Sequence, residues 1–299
     1  MLAVTPAERH GLLAAILSST CGGLTGAVTR YVIGATDPVT LAAFRFGIAF
    51  LVILPLALWM RSQWPKGRDL AGVAVLGMLY FAVFFVLYNW SMAMTTAARG
   101  SLALSMLPLV TMLVAALLGK EQITGRKTLG VLIAVGGAAA ALLAGLQDAP
   151  PGAWRGDLLM LGATLIMAFY TVWSRPFMQR SSRLGFLAAG MGFGAAASSL
   201  LAWERGGWAM TQSFGAAQWT AVAFIGLVGG ALAFYLWVYA LERTTPTRVA
   251  NTMTVNPIAA SLLAALLVGE PLGLNLAAGI AAVAIGIWLA STPASARAG

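Results

Sequence analysis

The chain is a succession of ten apolar runs, at 11–31, 38–60, 69–92, 98–119, 126–146, 156–178, 184–204, 215–241, 246–269 and 272–291. Each is close to the roughly 20 residues an α-helix needs to cross about 30 Å of hydrocarbon. Nothing constrains the fold more, because a backbone in lipid must satisfy its own N–H and C=O groups. Long continuous runs fit helices, whereas a barrel would show short alternating segments. Over 299 residues, 60% are hydrophobic and 9% charged, against about 25% charged in a soluble domain. The expected fold class is an all-α integral membrane protein with ten transmembrane helices. Its connections are short, the longest being "LQDAPPGAWRGD" and "ERGGWAMTQSFG", so function has to lie within the bilayer.

The net charge of +9 would suggest nucleic acid in a soluble protein. Here it reads as topology, and no nucleic-acid partner is expected. With the N-terminus inside, thirteen Lys and Arg fall on the cytoplasmic side, and only Arg30, Arg99, Arg155 and Arg205 on the other. That bias places both termini in the cytoplasm. Cys21 is the single cysteine, so no intramolecular disulfide is possible. The apolar run continues past it to Val28, so the first run reads as a retained span rather than a cleaved signal.

"LALSMLPLVTMLVAALLGKE" at 102–121 and "NTMTVNPIAASLLAALLVGE" at 251–270 are two copies of one element. At an offset of 149, Arg99 meets Arg248, Pro108 meets Pro257 and Glu121 meets Glu270. Thr95 and Thr96 meet Thr244 and Thr245. Three chemically distinct residues keeping one spacing point to duplication. At an offset of 145, Gly11 meets Gly156 and Arg30 meets Arg175. The expected halves are 1–147 and 152–299. Five spans separate equivalent positions, so the second copy lies inverted in the membrane. Such inverted repeats are a signature of secondary transporters, which rock two similar bundles about a central site.

The doubled R-x8-P-x12-E pattern, with "GDLLMLGATLIMAFYTVWSR" opening the second half, resembles the drug/metabolite transporter superfamily, in particular its ten-helix members with two EamA-type domains. The resemblance covers essentially the whole chain. It implies a 5+5 inverted repeat and export of small metabolites across an inner membrane. The aromatic content described next is similar to that of the YddG-like amino-acid exporters.

Tyr80, Phe84 and Tyr88 recur at i, i+4 and i+8 and so lie near one helix face, close in sequence to Phe81, Phe85 and Trp90. Phe169, Tyr170 and Trp173 cluster in the sixth run, and Phe234, Tyr235, Trp237 and Tyr239 in the eighth. Trp90, Trp237 and Tyr239 read as interface anchors. Tyr80, Phe84 and Tyr170 lie deeper and, with Tyr88 and Trp173, are candidates for an apolar pocket with hydroxyls, or else plain packing. Arg45, in "AAFRFGIAF", is the basic residue well inside a span. Mid-helix arginine costs about 2.5–3.5 kcal/mol to insert, so it needs an ion pair or a substrate carboxylate, which its fork suits.

Pro108 and Pro257 each remove a backbone donor, so their helices should bend, for packing or as hinges. Asn251, Thr254 and Asn256 stand where the kink frees carbonyls or where a polar cavity lies. The first copy carries Leu102, Ser105 and Leu107 at the equivalent places, so one half supplies more of the polarity. Arg99 and Arg248 begin these helices, and Glu121 and Glu270 end them, each against the helix dipole. They read as structural or gating ion-pair residues.

One His and one Cys, with no acid deep in any span, leave no catalytic or metal constellation. No enzyme, cofactor or metal site is expected, and a proton-exchange carboxylate is missing too. The expected activity is export of small metabolites across the inner membrane by alternating access, above all of aromatic or apolar amino acids or similar partly hydrophobic compounds, with facilitated diffusion down a gradient as one mode. The partners are then a small-molecule substrate and the bilayer, with monomer or homodimer open. Sugar phosphates or nucleotide sugars would call for several central cations; drug cations are the other solutes of this superfamily to be weighed.

Overall fold

A computed structural model describes residues 6–118, 125–144, 149–244 and 246–291. Among these residues no strand occurs, and ten apolar helices follow one another. They are α1 (Pro6–Val32), α2 (Pro38–Trp59), α3 (Arg68–Met94), α4 (Ala97–Leu117), α5 (Gly125–Ala144), α6 (Ala153–Arg180), α7 (Arg183–Glu204), α8 (Ala216–Arg243), α9 (Arg248–Val268) and α10 (Leu274–Ser291). Successive helices run up and down. One end of the bundle, the N-terminal face, therefore gathers the start of α1 and the α2–α3, α6–α7 and α8–α9 connections. Large apolar side chains such as Leu51, Leu117, Leu266 and Ile285 point outward, as lipid contact requires.

Packing is symmetric between the halves. α5 lies along α10 and α2 along α7, each helix beside its own equivalent. α1 leaves its own half and packs on α8 and α9, while α6 packs on α3 and α4. The halves are thus interlocked by an exchange of their first helices. Small residues permit these approaches. A Cβ on Gly23 of α1 would stand 2.8 Å from the Cβ of Ala259 in α9.

Four helices are irregular, and they form two equivalent pairs. α3 carries a π-helical segment at Met78–Phe84, and α8 one at Ile225–Leu232. α4 is interrupted at Ser105–Met106, just before Pro108. α9 narrows to a 3-10 turn at Thr252–Thr254, just before Pro257. Here the expected bends are found, and hydroxyls serve the disturbed carbonyls. Ser105 donates to Leu102 O (2.7 Å), Thr252 to Val249 O (2.8 Å) and Thr254 to Asn251 O (3.0 Å). The widened turns of α3 and α8 have no counterpart in the sequence expectations. No proline marks them, and an apolar run reads the same for a π-turn as for an α-turn.

Gly77 opens the π segment of α3 against α7. A Cβ there would lie 2.7 Å from the Cα of Gly190, which is backbone and cannot yield like a side chain. Gly77→Leu should cost at least about 1–3 kcal/mol, read as a lower unfolding midpoint of the purified protein in detergent.

Candidate functional site

The irregular segments surround a central cavity of about 60 Å³ between α1, α2, α3, α4, α6, α8 and α9. Its aromatic wall comes from α3. The wide turn brings Tyr80, Phe84, Phe85 and Tyr88 together on the inward side, all buried. α8 faces them with Phe234 and Trp237 and with the small Gly229 and Ala233. α1 adds Ser18 and Ser19, and α9 adds Asn256. The space holds a few waters and is far smaller than the 300–1,000 Å³ typical of ligand pockets. The conformation is therefore contracted around its centre.

Arg45 reaches this cavity from α2 and is 3% exposed. One terminal nitrogen donates to the Thr29 hydroxyl at 3.1 Å. Its guanidinium lies 4.7 Å from the ring centre of Phe85 and 5.6 Å from that of Tyr88, an attraction worth about 0.5–2 kcal/mol. Its Nε has no acceptor. Among the described residues no carboxylate serves it. Asp157 pairs with Arg99, Glu8 with Arg248, Asp69 with Arg180, Glu242 with Arg183 and Arg243, and Glu270 with Arg30. Asp37 caps its own helix through Val39 and Thr40, and Glu204 is exposed at the end of α7. Arg45 is thus a buried cation held by a hydroxyl and two ring faces.

Of the eight substrate candidates read from the sequence, Arg45, Tyr80, Phe84, Tyr88 and Asn256 line this cavity. Tyr170 is buried one layer behind, stacked on Tyr80 with ring centres 4.1 Å apart. Its hydroxyl has no partner. Trp173 is 41% exposed and stacks on Phe169, away from the cavity. Asn251 is half-buried near the N-terminal end of α9 and is not part of the cavity wall.

Trp237 departs from the interface-anchor expectation. It is buried, lines the cavity, and its indole N–H has no acceptor. Position near a span end suggested an anchor, but the bundle folds that end inward. The α1 serines were legible as hydroxyls in "SSTCGG". What hid their role is that α1 meets the second half of the chain.

The duplicated Arg residues close the two ends of the bundle with one arrangement used twice. At the face opposite the N-terminus, Asp157 of α6 accepts from Arg99 (2.5 Å) and from the Thr95 hydroxyl (2.9 Å). At the N-terminal face Glu8 of α1 pairs with Arg248 and accepts from the Thr244 hydroxyl at 3.5 Å. The acids occupy different registers. Gly11 meets Ala240 and Arg243 of α8, and Gly156 meets the equivalent Ser91 and Met94 of α3. Asp157 follows its glycine by one position, whereas Glu8 precedes its own by three, so the two registers differ by about one helical turn. The deeper acid makes the sealed pair: the Arg99 side chain is 8% exposed and that of Arg248 51%.

A second contact strengthens the first of these faces. Gly269, at φ 67°, ends α9 in the left-handed region that glycine adopts freely. The turn delivers Glu270 to the start of α4, where both carboxylate oxygens accept from Ala97 N at 3.2 and 3.1 Å. Arg30 lies 3.6 Å from Glu270 and donates to Met92 O (3.1 Å) at the end of α3. An anion thus sits on a helix N-terminus and a cation on a helix C-terminus, each matching the dipole it meets. The equivalent of Ala97 at the N-terminal face is Pro246, which has no N–H to offer. Glu121, the equivalent of Glu270, lies outside the described residues.

Comparison with known proteins places this architecture in a class. The model of the EamA-like transporter family matches twice, over residues 9–143 and 154–292. The chain belongs to this family, within the drug/metabolite transporters, and is a multi-pass membrane transporter of small molecules. An uncharacterized protein of Pseudomonas aeruginosa is 31% identical over 88% of this chain and 88% of its own. A probable terminal-alkyne amino-acid exporter of Streptantibioticus cattleyicolor is 27% identical over 69% of this chain and 68% of its own. A solved crystal structure with 22% identity superposes with a TM-score of 0.67, covering 97% of both chains, and shares the fold.

Two outcomes test the site's electrostatics. Arg45→Met should stabilise the protein by about 1–4 kcal/mol, since a buried unpaired charge is replaced by an apolar side chain, while transport is lost. A fall in the unfolding midpoint would give Arg45 a structural role. Asp157→Asn, which strands a buried cation, should cost about 3–5 kcal/mol. Glu8→Gln, at the more exposed pair, should cost under about 1 kcal/mol. Thermal unfolding of the three variants in detergent measures both.

Proposed function

We infer that the protein exports amino acids or similar small, partly hydrophobic compounds across the inner membrane by alternating access. Arg45 carries this reading. A cation buried beside a cavity, with no acid among its described neighbours, is matched by a carboxylate on the transported molecule. The walls of Tyr80, Phe84 and Tyr88 suit an aromatic or apolar remainder, with Tyr170 supporting Tyr80 from behind and Asn256 supplying an amide. The relative named as a probable amino-acid exporter supports the same class, as does the likeness to YddG-like exporters.

The contracted cavity has to widen to admit such a substrate, and the interrupted helices α4 and α9 supply the joints at Pro108 and Pro257. The halves 1–147 and 152–299 then exchange access between the faces. Arg99 and Asp157, with Arg30 and Glu270, hold one face. Arg248 and Glu8 hold the other, which the excess of Lys and Arg assigns to the cytoplasm. With Pro246 unable to reproduce the Ala97 contact, the external face closes more firmly. That asymmetry favours a resting state that loads from inside. No carboxylate among the described residues lines the cavity, and a facilitator needs none.

Two measurements on proteoliposomes containing this chain test the reading. Tyr80→Ala should change the preference among amino acids while expression holds; an unchanged profile would return Tyr80 to plain packing. In a Cys21→Ser background, Glu270→Gln should raise labelling of Leu102→Cys from the external face about fivefold. That factor corresponds to about 1 kcal/mol for a lost charged hydrogen bond. Labelling of Asn251→Cys should fall in parallel, because opening one face closes the other. Both sites gaining access together would describe a channel.

A further inference from the structure

Among the described residues that line the cavity, Arg45 carries the one formal charge. Arg45 offers an Nε–H with no acceptor, and Trp237 offers an indole N–H with none. An indole nitrogen only donates, and so does a guanidinium. The hydroxyl hydrogens on the opposite wall are already engaged. Ser18 donates to Ala233 O at 2.7 Å, Ser19 shares a hydrogen with Thr252 at 2.8 Å, and Thr25 donates to Cys21 O at 2.8 Å. Among the described residues the cavity lining holds one cation and no anion. A zwitterion would satisfy Arg45 but bring a second cation, its ammonium, into the same low-dielectric space, where the oxygens of Asn256, Tyr80 and Tyr88 can accept from it but no carboxylate among the described residues balances its charge. The second free group, Trp237, would be no help to it, because it too is a donor.

Resting on the exporter reading above, we propose that the preferred substrate is a monoanion: an aromatic or apolar carboxylate whose amine is absent, acylated or replaced by oxygen. The carboxylate neutralises Arg45, and a second acceptor oxygen takes the Trp237 N–H. The ring stands against Tyr80 and Phe84. Moving such a substrate carries one negative charge across the membrane. A cell interior that is negative then drives it outward, so export needs no coupled proton and no titrating carboxylate in the cavity.

The test compares three radiolabelled probes of one skeleton in proteoliposomes of the full chain, corrected for protein-free vesicles and without a pH gradient. L-Phenyllactate is the monoanion, L-phenylalanine the zwitterion and phenethylamine the cation. Phenyllactate should enter at least tenfold faster than phenylalanine. With a potassium and valinomycin potential, interior positive, it should accumulate about tenfold at ~59 mV and be expelled when the sign is reversed. Arg45→Gln should abolish this uptake, and Trp237→Phe, which keeps the ring but removes the N–H, should slow it several-fold. Phenylalanine moving as fast as phenyllactate, with no response to potential, would overturn the monoanion and leave the amino-acid exporter standing. Uptake of phenethylamine alone, or of none of the three, would overturn both.

Discussion

In lipid, an irregular backbone is tolerated only where protein or a wet cavity receives its loose carbonyls and amides. Every irregular segment of the spanning helices described here obeys this. The wide turns of α3 and α8 and the breaks in α4 and α9 lie around one central space, and the hydroxyls of Ser105, Thr252 and Thr254 take up what the breaks release. The site follows from that requirement. Tyr80, Phe84 and Tyr88 share one face of α3, and the wide turn at Met78–Phe84 lies where that face meets the cavity. The glycines of the matching turn in α8 let α1 and α2 come close, and with α2 comes Arg45.

Duplication supplies the frame, and departures from symmetry make its two ends unequal. The same three groups, Thr, Arg and an acid, close both ends of the bundle. A one-turn difference in the register of the acid buries one set and leaves the other half in contact with its surroundings. The Glu270 contact at Ala97 adds to the buried side, and Pro246 denies the equivalent hydrogen bond to the other. Two ends built from one plan thus differ in strength.

Much of this was legible in the chain. The spans were visible because hydrophobicity alone selects them, and the kinks because proline cannot donate. Arg45 stood out because charge in an apolar run is costly. Other features were not legible for definite reasons. Trp237 read as an anchor because its place along the helix is near the end, yet its depth depends on how α8 packs. Trp173 read as a pocket residue because it neighbours Tyr170, but its ring leans out to stack on Phe169 at the outer surface. The partners of Arg99 and Arg248 were hidden because the acids come from helices exchanged between the halves.

By itself, the sequence determined an all-α membrane protein of ten spans in two inverted halves, since burial in lipid and an odd number of spans per half admit no other arrangement. Tertiary structure alone decided that α1 and α6 trade places, that five of the candidate residues share a cavity, and that Arg45 meets ring faces rather than an acid. Those outcomes depend on contacts between helices far apart in the chain. Hydrophobic pattern carries no information on which helix faces which, because in lipid every apolar face is equally satisfied until close packing and the few polar groups choose among them.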